Sequence, residues 1–259
     1  MKFPRSLVIL ISAITPAFAG SIVPVIAETT GGAPSESAWK VRAALYGWGV
    51  GLDGDITLSA NNVPLEAGFD DVLDNLDYAV MGTVEIGKGE WSFLADLFLA
   101  ELSVGNSRGN LDFDVGLEQF IGNFTINRIM VDEGCNRFDL FAGARVNSVD
   151  LDLDITRAGI IRTRTFSGSE RRTWVDPIIG ARYQRELSDR FFLRFMGDIG
   201  GFDVSSDFTW QALAGLGCQI NNAASVVLGY RGVGSDYAYG GFGYDVISHG
   251  LLLGLECRF

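Results

Sequence analysis

Histidine is nearly missing from this sequence: 259 residues hold one, His249. A hydrolase built on paired histidines, or a histidine-rich metal site, cannot be assembled from it. Cysteine is scarce and odd in number. Cys135, Cys218 and Cys257 form no CxxC motif and no Cys/His cluster, so a zinc ligand set is lacking. Basic charge is also short. Twenty Lys and Arg stand against 32 Asp and Glu, a net charge of −12, which excludes the basic footprint of a nucleic-acid binder. No motif points to a cofactor. No apolar run is long enough for a transmembrane helix. Yet 47% of the residues are hydrophobic, so apolar material is plentiful but dispersed.

The N-terminus carries an export pattern. Lys2 and Arg5 form a basic start, Leu7 to Ile14 a short apolar stretch, and Ala17-Phe18-Ala19 a small-x-small cleavage site. Residues 1–19 are therefore expected to be a signal peptide, with cleavage after Ala27 as a second option. A buried N-terminal helix is the competing reading. Residues 20–37 read as a flexible lead-in, and 38–259 as the folded part. No small-residue-Cys cleavage site is present, so a lipid anchor is not expected.

From Trp39 onward the chain alternates with period two, which places successive side chains on opposite faces of a strand. Ten such segments are predicted: 39–51, 78–87, 90–104, 113–129, 137–153, 172–187, 190–202, 207–220, 223–233 and 247–259. In the last, Leu251, Leu253, Leu255, Cys257 and Phe259 share one face. Gly250, Leu252, Gly254, Glu256 and Arg258 share the other. Four connections are short: Gly87 to Gly89, Asp132 to Asn136, Leu187 to Asp189, and Asn221-Asn222. The intervening ones, 52–77, 105–112, 154–171 and 234–246, are longer. Short turns at one end and longer loops at the other, with segments of about ten alternating residues, are the pattern of an antiparallel transmembrane β-barrel. Ten strands are expected, with eight or twelve left open. A soluble β-sandwich is the rival, but it would show a polar outer face. Pro177 is a blemish in its strand, since it removes one ladder hydrogen bond.

Three residue groups carry a family resemblance: DPIIGAR (Asp176 to Arg182), GDIGGFDVSSDFTWQ (Gly197 to Gln211) and GYR (Gly229 to Arg231). They lie in the stretch from Trp174 to Val233; with WKVRAALYGWGVGLDGDI and FDDVLDNLDYAVMGTVEIGKGEWSFLADL the resemblance extends along the mature chain from Trp39 to Val233. The chain resembles a family of small Gram-negative outer-membrane β-barrel proteins within the OmpA-like, opacity-type superfamily. The resemblance implies an outer-membrane location and no particular reaction. The closing Phe259 resembles the C-terminal signal read by the barrel-assembly machinery.

Extending the alternation inward gives a lumen of mixed charge. Lys40, Arg42, Arg145, Arg182, Arg194, Arg231 and Arg258 are expected to face Glu85, Asp96, Asp139, Asp176, Asp198 and Glu256. Buried charges must be paired or solvated. Ten tilted strands enclose a radius of about 10 Å, which long Arg side chains can fill. A packed polar core is therefore expected, with a selective narrow pore as the alternative, since an ion filter more often shows a ring of one sign.

At the outer strand ends the polarity inverts. Leu52, Ile56, Leu111, Phe113, Val115, Val149, Leu151, Leu153 and Ile155 are predicted inward. Asp53, Asp55, Asp112, Asp114, Asp150, Asp152 and Asp154 are predicted outward. Asp152 with Arg164 and Asp154 with Arg162 are expected to pair across the following hairpin. The outward Asp rows read as a solvated rim, or as sites for divalent cations that bridge lipopolysaccharide. Leu65, Phe69, Val72, Leu73 and Leu76 predict a short helix in the first outer loop that covers the apolar mouth. In the last loop Tyr237, Tyr239, Phe242 and Tyr244 are expected at the membrane interface or on a recognition surface. His249 falls with Leu251 on the lipid side, which suits an interface residue better than a general base. The chain is thus expected to be non-enzymatic and monomeric, contacting outer-membrane lipid and lipopolysaccharide. A protease or lipid-modifying enzyme is the remaining alternative.

Overall fold

The computed structural model describes residues 38–58, 61–108, 111–157 and 164–259. At 58, 61, 63, 104–108, 111–114, 153–157 and 164–166 it describes the backbone alone. The expected leader and lead-in, 1–37, lie outside the described residues, as does Arg162. So do the side chains of Leu111, Asp112, Phe113, Asp114, Leu153, Asp154, Ile155 and Arg164.

The elements run β1 (Trp39–Leu58), β2 (Asn61–Ala67), α1 (Phe69–Asp74), β3 (Leu76–Lys88), β4 (Trp91–Arg108), β5 (Leu111–Glu133) and β6 (Asn136–Arg157). They continue with β7 (Arg164–Glu186), β8 (Phe191–Gly201), β9 (Phe208–Gln219), β10 (Ala224–Tyr239) and β11 (Phe242–Arg258). Every neighbouring pair is antiparallel, and β1 also pairs with β11, which closes the sheet. The closed ring is β1 and β3 to β11, ten strands, with β2 added outside on β1. Closure removes the free edges that an open sheet would expose. Because the ring count is even, the start of β1 and the end of β11 lie at one rim. Arg42 pairs with Arg258, and the Phe259 N–H still donates to Val41 O at 2.9 Å. We call this the terminal rim and the opposite one the far rim.

The turns at the terminal rim are tight. Gly89 and Gly134 hold positive φ (60° and 59°), a region closed to most side chains. The far rim differs from expectation. The stretches read as outer loops at 105–112, 154–171 and 234–246 are mostly strand. β10 and β11 meet at Gly240-Gly241, with φ of 61° and 87°. β5 spans 23 residues. At about 3.3 Å per residue it is far longer than an apolar band about 25 Å tall requires, even when tilted. The wall therefore rises past that band at β5 to β7. It is low at β8 and β9, which hold 11 and 12 residues. Pro177 sits where the wall steps down. The β7–β8 ladder ends at Ile178 and Gly200, and the next residue on β7 is the proline, which has no N–H to donate.

The alternation gives two faces of different character. Leu45, Leu251 and Leu253 are 74%, 64% and 58% exposed, members of a belt of large apolar side chains around the outside. A patch of that extent marks contact with lipid or partner. The inner face is buried.

The first far-rim connection corrects the predicted helix. Leu65 lies in β2 and Leu76 opens β3, so only Phe69 to Asp74 is helical. The Gly68 N–H donates to the Asp71 carboxylate at 3.2 Å, which satisfies one orphan donor at the helix start. Val72 is buried against the inner wall, while Phe69 and Leu73 stay about half exposed. The Phe69 ring comes close to Gly49, where a Cβ would meet it at 2.8 Å. The expected Asp152–Arg164 and Asp154–Arg162 pairs do not fit the register. Asp152 faces Ser169, Asp154 faces Ser167, and Arg164 faces Arg157. The β6–β7 register sets Asp152 five residues farther along β7 than predicted. Asp150 instead accepts from Arg171 Nε at 2.8 Å.

Candidate functional site

The inward faces meet in the lumen at three levels. Nearest the terminal rim, Arg182 on β7 reaches Glu85 on β3 across the lumen, with β4, β5 and β6 between them in the ring. Its two terminal nitrogens donate to the two Glu85 oxygens at 3.0 Å each, and its Nε donates to Asp139 at 2.8 Å. Such forked Arg–carboxylate pairs fix both direction and distance. Arg42 also pairs with Glu85, and Arg137 holds Asp139 at 3.0 Å. Arg194 spans from β8 to Glu256 on β11 at 2.8 Å, and Arg258 reaches the same carboxylate at 3.1 Å. Beneath Arg194 lies the Phe192 ring, 5.2 Å from the guanidinium and fully buried over Gly217. Lys40 is exposed at the rim, lining an open depression of about 300 Å³ with Arg258 and Phe259.

The middle level is the most enclosed. Arg145 is 0% exposed. It donates to Asp198 at 2.7 Å, Asn123 at 2.8 Å and Thr209 at 2.8 Å. Arg231 on β10 spans to Asp96 on β4 at 2.8 Å, and also donates to Tyr46 at 2.8 Å and Gln211 at 2.9 Å. Tyr46 in turn donates to Asp96 at 2.7 Å. Burial on this scale is tolerable only because each charge meets an opposite charge plus further hydrogen bonds.

Toward the far rim the contacts become uncharged or aromatic. Gln119 on β5 donates to the Tyr244 hydroxyl on β11 at 2.8 Å. Trp174 on β7 stacks on Tyr237 of β10 at 4.3 Å and 8°. Tyr237, Phe242 and Tyr244 are therefore buried inside, not displayed at the interface or on a recognition surface as expected; only Tyr239 stays exposed. The hairpin continues as strand, so the same alternation carries them inward. Asp176 is fully buried but, among the described residues, takes no arginine: it accepts from the Ser206 N–H and hydroxyl, both at 2.8 Å.

The charge list from the sequence is thus brought together in two groups. Lys40 stays at the rim and Asp176 sits apart. What charge-reading missed is the uncharged polar set: Tyr46, Gln119, Asn123, Thr209, Gln211 and Tyr244. Tyr46 and Tyr244 share the inward phase of Arg42 and Glu256 on their own strands, whereas Gln119 and Asn123 on β5 and Thr209 and Gln211 on β9 have no charged companion beside them and are readable only from the strand alternation. Ser206 carried no such signal, because it enters from a turn.

His249 lies on the outer wall, as its phase predicts. Its Nδ1 is 2.6 Å from the Tyr230 hydroxyl and its Nε2 is 2.6 Å from Asp53. This row joins β10, β11 and β1 and was not visible in the sequence. Among the described residues, no group of three or more His, Cys, Asp or Glu side chains converges on a metal position. All three cysteines are free, with β10 lying between Cys218 and Cys257.

A closed antiparallel ring, apolar outside and polar within, defines a transmembrane-type β-barrel. No family model and no curated protein matches the chain. Among solved structures, the outer-membrane protease OmpT from Escherichia coli aligns with a TM-score of 0.54 and 11% identity, over 86% of this chain and 97% of that one. Ail, the attachment invasion locus protein of Yersinia pestis, aligns at 0.33 and 9% over 86% of this chain and 99% of its own. Neisserial surface protein A aligns at 0.32 and 10% over 85% and 97%. The first likeness fixes the fold as that of the bacterial outer-membrane β-barrels, which the sequence resemblance implied. It does not extend to activity.

Proposed function

We propose that this chain is exported by its N-terminal leader and inserted in the outer membrane as a monomeric, non-enzymatic barrel. Its role is structural or surface-interacting, with a sealed lumen, the terminal rim in the periplasm and the tall wall of β5 to β7 outside. Lipid and lipopolysaccharide contact the apolar belt, and the barrel-assembly machinery reads the strand that ends in Phe259. The observation that carries the sealed reading is the pair of cross-lumen ion pairs, Arg182–Glu85 and Arg231–Asp96. Two stacked levels of opposite charges leave no single-sign ring to select an ion. The competing pore reading predicts stepwise conductance in planar bilayers from the refolded protein. The sealed reading predicts a quiet trace, and reproducible steps would refute it.

One observation favours the enzyme reading: the Tyr230–His249–Asp53 row on the outer wall. A hydrolase would also need free donors for a developing oxyanion. The neighbouring backbone is engaged in the β10–β11 and β1–β11 ladders, which argues against it. Loss of lipid-deacylating activity in His249→Ala would overturn the non-enzymatic reading.

A further inference from the structure

The ring is incompletely stitched at one seam. The β1–β3 ladder runs from the Trp39–Lys88 pair to the Leu45–Gly82 pair and stops there, although both strands go on. β3 stays paired with β4 up to Leu76, and β1 stays paired with β11 up to Leu58. On its other side β1 has no ladder partner from Tyr46 to Gly51, and β2 joins it at Leu52. The step at β8 differs, because there the strand itself ends. The break lies at the height of the apolar belt. Leu45, Tyr78 and Val80 beside it are exposed, and Gly47 and Gly49 pair with the belt residues Leu253 and Leu251.

Helix α1 stands in this break. Its Phe69 ring meets β1 at Gly49, in the outward phase of Leu45, and its Val72 is buried in the inner cluster with Trp48, Val50 and Phe98. A helix satisfies its own backbone, which suits a wall segment that faces lipid. With six residues it is too short to be stable alone. Among the described residues, its backbone tie to the rest of the wall is at its end, where the Ser103 N–H donates to Asn75 O at 2.9 Å. Behind Val72 lies a cavity of about 50 Å³ lined by Trp48, Leu52, Phe98 and Leu102, with Gln119 as the polar exception. Parting two strands of a barrel normally breaks ladder hydrogen bonds. Here Tyr46 to Gly51 and Leu76 to Met81 share no ladder, so the contacts of α1 are what oppose opening.

We propose that the wall opens sideways at this seam, with α1 as the stopper, and that the end of a lipid hydrocarbon chain enters the apolar upper lumen from the membrane. The surroundings select that occupant. The seam meets the apolar belt on one side and carbon-lined space on the other, and a single chain is slender enough to pass between parted strands. The cavity and the volume that Val72 vacates receive the chain end. The proposal rests on the outer-membrane reading and on a lumen sealed at the charged levels below.

The probe is a long-chain fatty acid with a diazirine at its chain end, photolysed with the refolded full-length protein in phosphatidylcholine vesicles. Mass spectrometry then locates the adducts. Cys135→Ser, Cys218→Ala and Cys257→Ala provide the background, and Gly49→Cys with Phe69→Cys locks α1 to β1 by a disulfide. The expected result is labelling of the inward Trp48 and Phe98 besides the outward Leu45 and Leu251. Locking should abolish the inner adducts and spare the outer ones, and reductant should restore them. Val72→Gly, which shrinks the stopper, should raise inner labelling. Outer adducts alone in the unlocked protein would overturn the opening. Inner adducts that survive the lock, or that Val72→Gly leaves unchanged, would mean entry from the far rim and overturn the role of α1. Absence of outer adducts as well would defeat the membrane reading, and stepwise conductance on the same preparation would defeat the sealed one.

Discussion

Arg145→Met and Arg182→Met remove the same group from two levels of one lumen, and they should not cost the same. Arg145 is the ion-pair partner of Asp198 among the described residues, at 2.7 Å. Removing it leaves a buried carboxylate without a cation, and Asn123 loses a donor at 2.8 Å. Breaking a buried pair in this way costs about 3–5 kcal/mol. Arg182 holds two carboxylates, but each has a second donor. Glu85 keeps Arg42 and the Ser92 hydroxyl, and Asp139 keeps Arg137 at 3.0 Å. The loss is then that of charge-assisted hydrogen bonds whose acceptors remain served, about 1.5–3 kcal/mol. Urea unfolding of the refolded barrel, followed by tryptophan fluorescence, reads both values, provided the slopes with urea agree. Asp198→Leu combined with Arg145→Met should recover most of the deficit, because no charge is then stranded. If Arg182→Met costs as much as Arg145→Met, or the double variant is no better than Arg145→Met, the stranded-carboxylate reasoning is wrong.

Other expectations follow from single contacts. At Gly217 a Cβ would fall inside the buried Phe192 ring, so Gly217→Ala should destabilise by about 1–3 kcal/mol in the same unfolding assay. On the far-rim hairpin, partial desolvation of an otherwise exposed side chain and then the neighbouring Asp245 and Asp207 push the Asp236 carboxyl above the ordinary aspartate range. The folded protein then holds that proton more tightly than the unfolded chain. Stability is lost as pH rises through the raised value and regained below it. Asp236→Asn should therefore match the parent at low pH and exceed it at pH 8, as melting across a pH series will report. Cys135 is exposed in a terminal-rim turn, so a large impermeant maleimide should label it only after the outer membrane is opened. Labelling on intact cells would invert the orientation.

Strand phase was legible in the sequence because period two survives in each strand of the ring; Leu251, Leu253 and Leu255 outside with Leu252 and Glu256 inside needs no tertiary information. Strand ends were not. Gly and Asp in 234–246 read as loop, yet two positive-φ glycines are enough to make that stretch a hairpin. Helical spacing from Leu65 to Leu76 overran the helix, because β2 claims Leu65 by pairing it with Gly54. The charged members of the lumen were readable, but their partners were not. Arg182 with Glu85 and Arg231 with Asp96 join strands that are not ladder neighbours. Only ring closure brings them together, and closure is a property of strand number and tilt, not of local pattern. The Tyr230–His249–Asp53 row has the same origin, since β11 meets β1 only at the seam.

A single alternation runs the full length of the tall strands while its polarity reverses. Near the terminal rim the charges Arg42, Glu85, Asp139 and Arg182 turn inward and the aliphatics turn out. Farther up, Leu52, Ile56 and Val149 turn inward, and Asp53, Asp150 and Asp152 take the outer face. The reversal follows from what surrounds each part: lipid accepts only apolar groups, and water above it favours carboxylates. The inner face must then complement the outer one, or the strand would be apolar on both sides. Such a strand would read as a membrane-stopping run during export. The lumen charges of the lower barrel are the counterpart of that constraint. Once placed there they must be paired, and the pairs Arg182–Glu85 and Arg231–Asp96 do so across the ring. The sealed lumen proposed above rests on this pattern, since side chains that pair across the ring occupy the space that a channel would need.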